Sequence, residues 1–405
     1  MYSLTNLTRV VAVAAIVAAT ACSSTDKAIG PLTPAGGEIF KSYVAIGNSI
    51  TAGFQSNGIN DSTQRQSYAR LLAGQMGTQY HFPSIAGRGC PPPILNTQNG
   101  ALVGAGSTAT TCDLRTPSSV TDVLNNVAVP GARVLDPTSP STAASNVLTT
   151  LILGGKTQVQ RALDARPTFV SIWIGNNDVL QPGLSGLFQP IVSTQTQFVT
   201  AYDAMIAQLL AGSPGLKGVL IGVAQVQFLP SMVSGALIFA SPAAQAAITA
   251  AAGGAVLIDP SCNGSASLVN LPGILGAMRA TTNPHPRIIA CAKGIYPAPV
   301  GDIFILDAAE QTTLTNAINA YNTYISGKAA AIGFAYYDPN VLFATKRANG
   351  EIPAFPLFNL TTGTFGLLIS NDGVHPTGAA HKLIANELIA VIEAKYPEAT
   401  LQPVP

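Results

Sequence analysis

Five residues scattered along the chain, Ser49, Gly131, Asn177, Asp372 and His375, are of the types that an acyl transfer needs. A serine hydroxyl is a weak nucleophile until a base lies within hydrogen-bond reach and a third group orients that base. Ser49 stands in "YVAIGNSITAG" (43–53), where an apolar run breaks into Gly47, Asn48, Ser49 and Gly53. Alone, this Gly-x-Ser also fits an ordinary strand-to-loop turn with a solvated serine. Four histidines compete as the base. His81 lies in a Phe-Pro-flanked loop, His285 in an Ala, Gly and Pro-rich stretch, and His381 inside a helical pattern beginning near Thr377. His375 differs, because "NDGVHPTGAAH" places Asp372 three residues before it, close to one helical turn, with Gly373 keeping the backbone between them open. Asp372 can then hold the imidazole Nδ1 hydrogen while Nε2 faces the serine. An Asp-Gly turn capping the final helix, with an exposed His375, fits that segment equally well.

Two further segments supply donors. "NVAVPGA" (126–132) ends a strand pattern in Pro130-Gly131, and "SIWIGNNDVL" (171–180) ends another in Gly175-Asn176-Asn177-Asp178. Parallel-sheet proteins bind ligands at the carboxyl ends of their strands. The N–H groups of Ser49 and Gly131 and the side-chain amide of Asn177 are therefore expected to converge as neutral donors for an oxyanion. In these four blocks the chain resembles the GDSL-type, or SGNH, hydrolases from residue 43 to about 393. The resemblance carries the nucleophile onto Ser49, the oxyanion hole onto Ser49, Gly131 and Asn177, and the remaining triad members onto Asp372 and His375. Asn48 stands where the family's name-giving motif has Asp. The resemblance implies a flavodoxin-like three-layer α/β/α sandwich around a parallel sheet, and a serine esterase or lipase that uses no cofactor and no metal. The family also covers phospholipases, thioesterases and carbohydrate O-deacetylases, and its motifs do not separate them. A catalytically silent surface-binding lipoprotein is the alternative from another class.

The elements that must position these residues are legible in part. Strand patterns fall at 43–46, 126–129, 169–174, 219–223 and 334–337. Phe198, Tyr202, Met205, Ile206 and Leu209 repeat with a helical period, as do Leu314, Ile318, Tyr321 and Ile325, the latter entered by an Asp307-x-x-Glu310 that resembles a capping box. Such alternation predicts a mainly parallel sheet covered by helices on both faces. The hydrolase domain is expected at 41–395, between a small-residue tether (23–40) and a short tail (396–405). Residues 230–302 break the rhythm and read as an insertion. Its Leu237, Ile238, Phe239, Leu271 and Ile274 must either bury in a lobe or line a pocket, since large exposed apolar patches are unusual. A pocket wall near Ser49 would make activity rise from acetyl to medium-chain esters.

Composition narrows the classes further. Charged residues are 10% of the 405, and 20 Lys and Arg against 19 Asp and Glu leave a net charge of +1, which offers nucleic acid no basic stripe. At the N-terminus Arg9, an apolar stretch at Val10–Ala18 and "ATAC" (19–22) read as an export signal, too short to span a bilayer that needs roughly 20 apolar residues. "ATAC" resembles a bacterial lipobox, which would make Cys22 a lipidated anchor in the cell envelope; Ala19-Thr20-Ala21 also fits an ordinary cleavage site for a secreted protein. Five cysteines are an odd number, and setting Cys22 aside leaves Cys90, Cys112, Cys262 and Cys291. Of three pairings, the sequence-local bridges Cys90–Cys112 and Cys262–Cys291 are expected, each worth roughly 3 kcal/mol in the chain-entropy account. Zinc ligation is the rival use, but no Cys-x-x-Cys or His-x-x-x-His spacing is present.

Overall fold

The computed structural model describes residues 35–96, 100–104, 123–186, 193–279, 287–295, 303–355, 357–358 and 363–405. Cys22, Cys112 and His285 lie outside the described residues, as do the expected signal segment (1–22) and most of the tether.

Four parallel strands, β1 (Tyr43–Gly47), β2 (Phe169–Trp173), β3 (Lys217–Ile221) and β4 (Ala335–Tyr337), pair side by side in that order. Successive side chains of a strand point to opposite faces. Val44, Ile46, Val170, Ile172 and Leu220 accordingly enter one core, and Tyr43, Ala45, Phe169, Trp173, Val219 and Ile221 enter the other. Both faces are apolar, so both must be covered. The helices that matter are α1 (Ser49–Ala52), α2 (Tyr68–Met76), α3 (Asn177–Ser185), α4 (Gln195–Gly212), α5 (Leu271–Arg279), α6 (Ala308–Ile332) and α7 (Gly378–Lys395). Phe198, Tyr202 and Met205 of α4 and Leu314, Ile318 and Tyr321 of α6 close the first face. Tyr68, Leu72 and Met76 of α2 and Ile384, Leu388 and Ile392 of α7 close the second. This is the expected three-layer sandwich, and α6 opens with the expected Asp307–Glu310 capping box.

The 126–129 segment is not a full strand, yet it runs along the outer edge of β1. It makes one parallel bridge, Asn126 to Ala45, and the N–H groups of Val127 and Val129 donate to Ala45 and Gly47 carbonyls at 3.0 and 3.1 Å. Counting it second in the chain, the spatial order becomes 2-1-3-4-5, the flavodoxin-like arrangement whose ligand crevice lies where the order reverses, between β1 and β2.

The insertion folds as a lobe with its own core. Val233, Ile238, Ile248, Leu271, Ile274 and Ile289 bury there around a Cys262–Cys291 disulfide, the expected pairing, with Leu237 and Phe239 packed against them. Of the two fates open to the five apolar residues singled out in the sequence, Ile238, Leu271 and Ile274 took burial, and Leu237 and Phe239 pack half-buried against them. Cys90 is also disulfide-bonded.

The packed domain outruns the expected bounds of 41–395 at both ends. The Ala35 N–H donates to the Met76 carbonyl at 2.9 Å and Phe40 is fully buried, so the last residues of the expected tether belong to the fold. The expected tail is also packed: Tyr396, Ala399, Leu401 and Val404 bury against the α7 face of the sheet. Glu393 and Asn386 of α7 accept the Leu401 and Val404 N–H groups at 2.8 and 2.7 Å.

Candidate active site

At the end of β1 the chain turns through Asn48, whose side-chain oxygen accepts the Ile50 N–H at 3.1 Å and caps α1. A neutral amide therefore performs the capping for which the family motif uses Asp; only an acceptor is needed there. Ser49 is the first residue of α1 and is 7% exposed. Its Oγ lies 2.9 Å from His375 Nε2, and His375 Nδ1 lies 2.7 Å from Asp372 Oδ2. With Asp372 ionised, Nδ1 carries the ring hydrogen and Nε2 accepts the Ser49 hydroxyl. The Phe54 ring flanks the imidazole, centroids 4.9 Å apart.

Asp372 is nearly enclosed. Burial would raise its pKa, but the His375 imidazole beside it and the N–H groups of His375 and Asn57 outweigh that and hold it at about 2. The Asn57 N–H approaches Oδ2 at 2.7 Å, while Oδ1 accepts the Val374 and His375 N–H groups and the Ser370 hydroxyl. Asn57 is a residue that sequence reasoning missed. Ser56 and Asn57 both take a left-handed backbone (φ 55° and 58°), which points that N–H at the carboxylate. The Asn57-Gly58 dipeptide was the available signal, since Asn-Gly marks turns with positive φ.

Two other strand ends carry the residues expected as donors. Gly131 has φ +83°, and the Asn177 amide donates to the neighbouring Ala132 carbonyl at 2.9 Å, leaving its second hydrogen for another acceptor. Among the described residues, no protein acceptor takes the Ser49 or Gly131 N–H. Gly175 is required by shape, because at φ +110° an added Cβ would sit 2.7 Å from the Phe198 ring. Asp178, also missed, accepts the Val134 N–H at 2.9 Å and the Ser193 hydroxyl at 2.5 Å. Consecutive residues at the start of α3 thus hold both ends of the 132–134 loop. Burial pushes the Asp178 carboxyl up to about 6, against the pull of those hydrogen bonds.

His381 is a core residue. It is fully buried, accepts the Tyr68 N–H at Nδ1, and burial depresses its pKa to about 3, so it stays neutral. Among the described residues no group of three His, Cys, Asp or Glu side chains is arranged to hold a metal.

Two cavities meet at His375. One, of about 50 Å³, is lined by Ser49, Asn177, Val226, Leu229, Phe343 and Ile369 among others and is mainly apolar. The second, of about 490 Å³, lies between His375 and the lobe, touching Asp372 and Asn371 on one side and Asn270, Pro272 and Leu275 on the other.

Comparison with known proteins gives the family. The family described as GDSL-like Lipase/Acylhydrolase matches residues 43–388. A solved chain from Parabacteroides merdae ATCC 43184, described as a GDSL-like lipase, is 14% identical, covers 87% of this chain and is itself covered to 96%, with a TM-score of 0.31 that carries no argument of its own. No curated protein matches. The family match spans every block from β1 to α7, and on that extent the chain belongs to the GDSL-like lipase/acylhydrolase family.

Proposed function

We propose that the protein is a carboxylic ester hydrolase working through a Ser49–His375–Asp372 triad and an acyl-enzyme. The observation that carries this reading is the unbroken relay of two short hydrogen bonds, Ser49 Oγ to His375 Nε2 at 2.9 Å and His375 Nδ1 to Asp372 at 2.7 Å, ending in a carboxylate kept ionised. His375 takes the Ser49 proton as Oγ bonds to the ester carbonyl carbon. The oxyanion is met by the Ser49 and Gly131 N–H groups and the free Asn177 hydrogen, donors that cost no reorganisation at the moment of reaction. Collapse breaks the carbon–oxygen bond to the alcohol, which leaves with the proton from His375. Water, deprotonated by the same imidazole, then attacks the acyl carbon and releases Ser49. The proposal includes an exported protein tethered to the cell envelope through Cys22.

A fluorophosphonate probe tests the nucleophile, because only a base-activated serine attacks it at neutral pH. Labelling should fall on Ser49 and abolish hydrolysis of p-nitrophenyl acetate, and Ser49→Ala should be inactive. Labelling confined to another serine would end the assignment. A wild type that is neither labelled nor active would instead favour a silent binding protein.

A further inference from the structure

The two cavities differ about tenfold in volume, about 50 against 490 Å³, and His375 is the one member of the triad that borders both. The small one borders Ser49, Asn177 and His375; the large one borders His375 and Asp372 but neither Ser49 nor Asn177. In an acyl transfer the acyl carbon must bond to the serine beside the oxyanion donors, while the departing oxygen must receive its proton from the histidine. The two substituents of the ester therefore fall on opposite sides of the imidazole. Resting on the hydrolase reading above, we infer that the enzyme takes short acyl esters of bulky alcohols, with the acyl group in the small cavity and the alcohol in the large one beneath the insertion lobe.

Size sets the acyl limit. At roughly 10–15 Å³ for each water-sized position, the small cavity offers about four such positions, enough for an acyl group of about two to four carbons. Val226, Leu229, Phe343 and Ile369 close it with apolar surface.

The large cavity asks for a different group. Leu184, Pro272 and Leu275 give it an apolar floor, and Ser231, Asn57 and Asn371 add polar atoms. Ser231 is 1% exposed and its hydroxyl has no partner among the described residues, a cost that a hydrogen bond from a ligand would relieve. An alcohol with both an apolar face and hydroxyl or amide groups satisfies this lining. The lobe residues that reach the cavity, Pro272 and Leu275, sit on α5, whose Leu271 and Ile274 bury in the lobe core; the lobe core thus fixes the wall.

Two series test the assignment in the full-length protein. With ethyl esters from acetyl to octanoyl, kcat/KM should peak at four carbons or fewer, and Phe343→Ala should raise the octanoyl-to-acetyl ratio by about tenfold or more, the lower range for one or two methylenes in a pocket. With a fixed acetyl group, glucose pentaacetate should be preferred over ethyl acetate. Pro272→Trp, which narrows the large cavity, and Ser231→Ala, which removes only a hydroxyl, should each lower that preference, the first by about tenfold or more. An octanoyl maximum in the wild type, or preferences that neither Pro272→Trp nor Ser231→Ala moves, would overturn the inference while leaving the hydrolase reading intact. Wild-type inactivity toward every ester, with Ser49 unlabelled, would refute the hydrolase reading itself.

Discussion

Asn177 and Asp178 are adjacent in the chain and act on the same loop through different chemistry. Asn177 grips the Ala132 carbonyl with one amide hydrogen and can turn the other to an oxyanion. Asn177→Ala should fold normally and lose roughly a hundredfold or more in kcat, the usual cost of one oxyanion donor; unchanged turnover would remove it from the mechanism. Asp178 holds Val134 and carries a carboxyl raised to about 6, so the folded state keeps a proton that the unfolded chain releases near pH 4. Its stabilising contribution is full below about pH 4 and is lost as pH rises through about 6. Asp372 runs the other way: its pKa is lowered to about 2, so its contribution is present above about pH 4 and disappears as pH falls through about 2. Thermal melts should therefore show wild-type stability declining from pH 4.5 to 7.5, and Asp178→Asn should flatten that decline. Equal slopes in the two proteins would show that Asp178 does not titrate as assigned.

At the scale of elements, β1, the 126–129 segment and β2 each lead into one candidate functional residue, and local shape determines which residues those ends tolerate. Gly175 shows this on two counts, because a Cβ there meets the Phe198 ring at 2.7 Å and the backbone sits at φ +110°. Gly175→Ala should lower stability by roughly 1–3 kcal/mol, the range for a residue held in a disfavoured backbone region. A melting temperature within 1 °C of wild type, read against the few degrees that about 1 kcal/mol moves it, would show that the turn relaxes without cost. Much of this architecture was legible in the sequence, because the buried strands read as apolar runs and the hydrogen-bonded Asp372 and His375 are three residues apart. The Asn57 contact was not, since Asn57-Gly58 signals a left-handed turn but nothing in the sequence names its partner, 315 residues away. The insertion was visible only as a loss of period. Its apolar residues are the same whether they bury in a lobe core or line a pocket, and only packing separated Ile274, in the core, from Pro272, on the cavity wall. Residues 126–129 were read as a strand although they pair through one edge of β1 only.

For the whole molecule, residues from both ends of the chain meet because the loop before the last helix is bonded to the segment after β1: the Ser56 and Asn57 N–H groups donate to the Ser370 hydroxyl and the Asp372 carboxylate at 2.8 and 2.7 Å. The proposed anchor lies ahead of that body and is tested separately. Radiolabelled palmitate should enter the full-length chain in a bacterial host and vanish with Cys22→Ser; undiminished labelling of the mutant would refute lipidation there. The C-terminal ten residues make a stronger demand on the fold, since "YPEATLQPVP" reads as a tail yet buries four apolar side chains against the sheet. Tyr396 is the anchor: its hydroxyl donates to the Gly218 carbonyl at 2.9 Å and accepts the Gly218 N–H at 3.1 Å, joining the end of the chain to β3. Tyr396→Phe leaves both β3 groups without that partner in a buried place, which costs about 1–3 kcal/mol for an unsatisfied polar group. Ending the chain after Lys395 removes in addition the burial of Tyr396, Leu401 and Val404, each worth roughly 1.5–3 kcal/mol. Against a total stability of about 5–15 kcal/mol, that truncation should leave the domain largely unfolded at 37 °C, with Tyr396→Phe intermediate in denaturant midpoint. A truncated chain that melts with the wild type would show that the terminal segment covers the sheet without stabilising it.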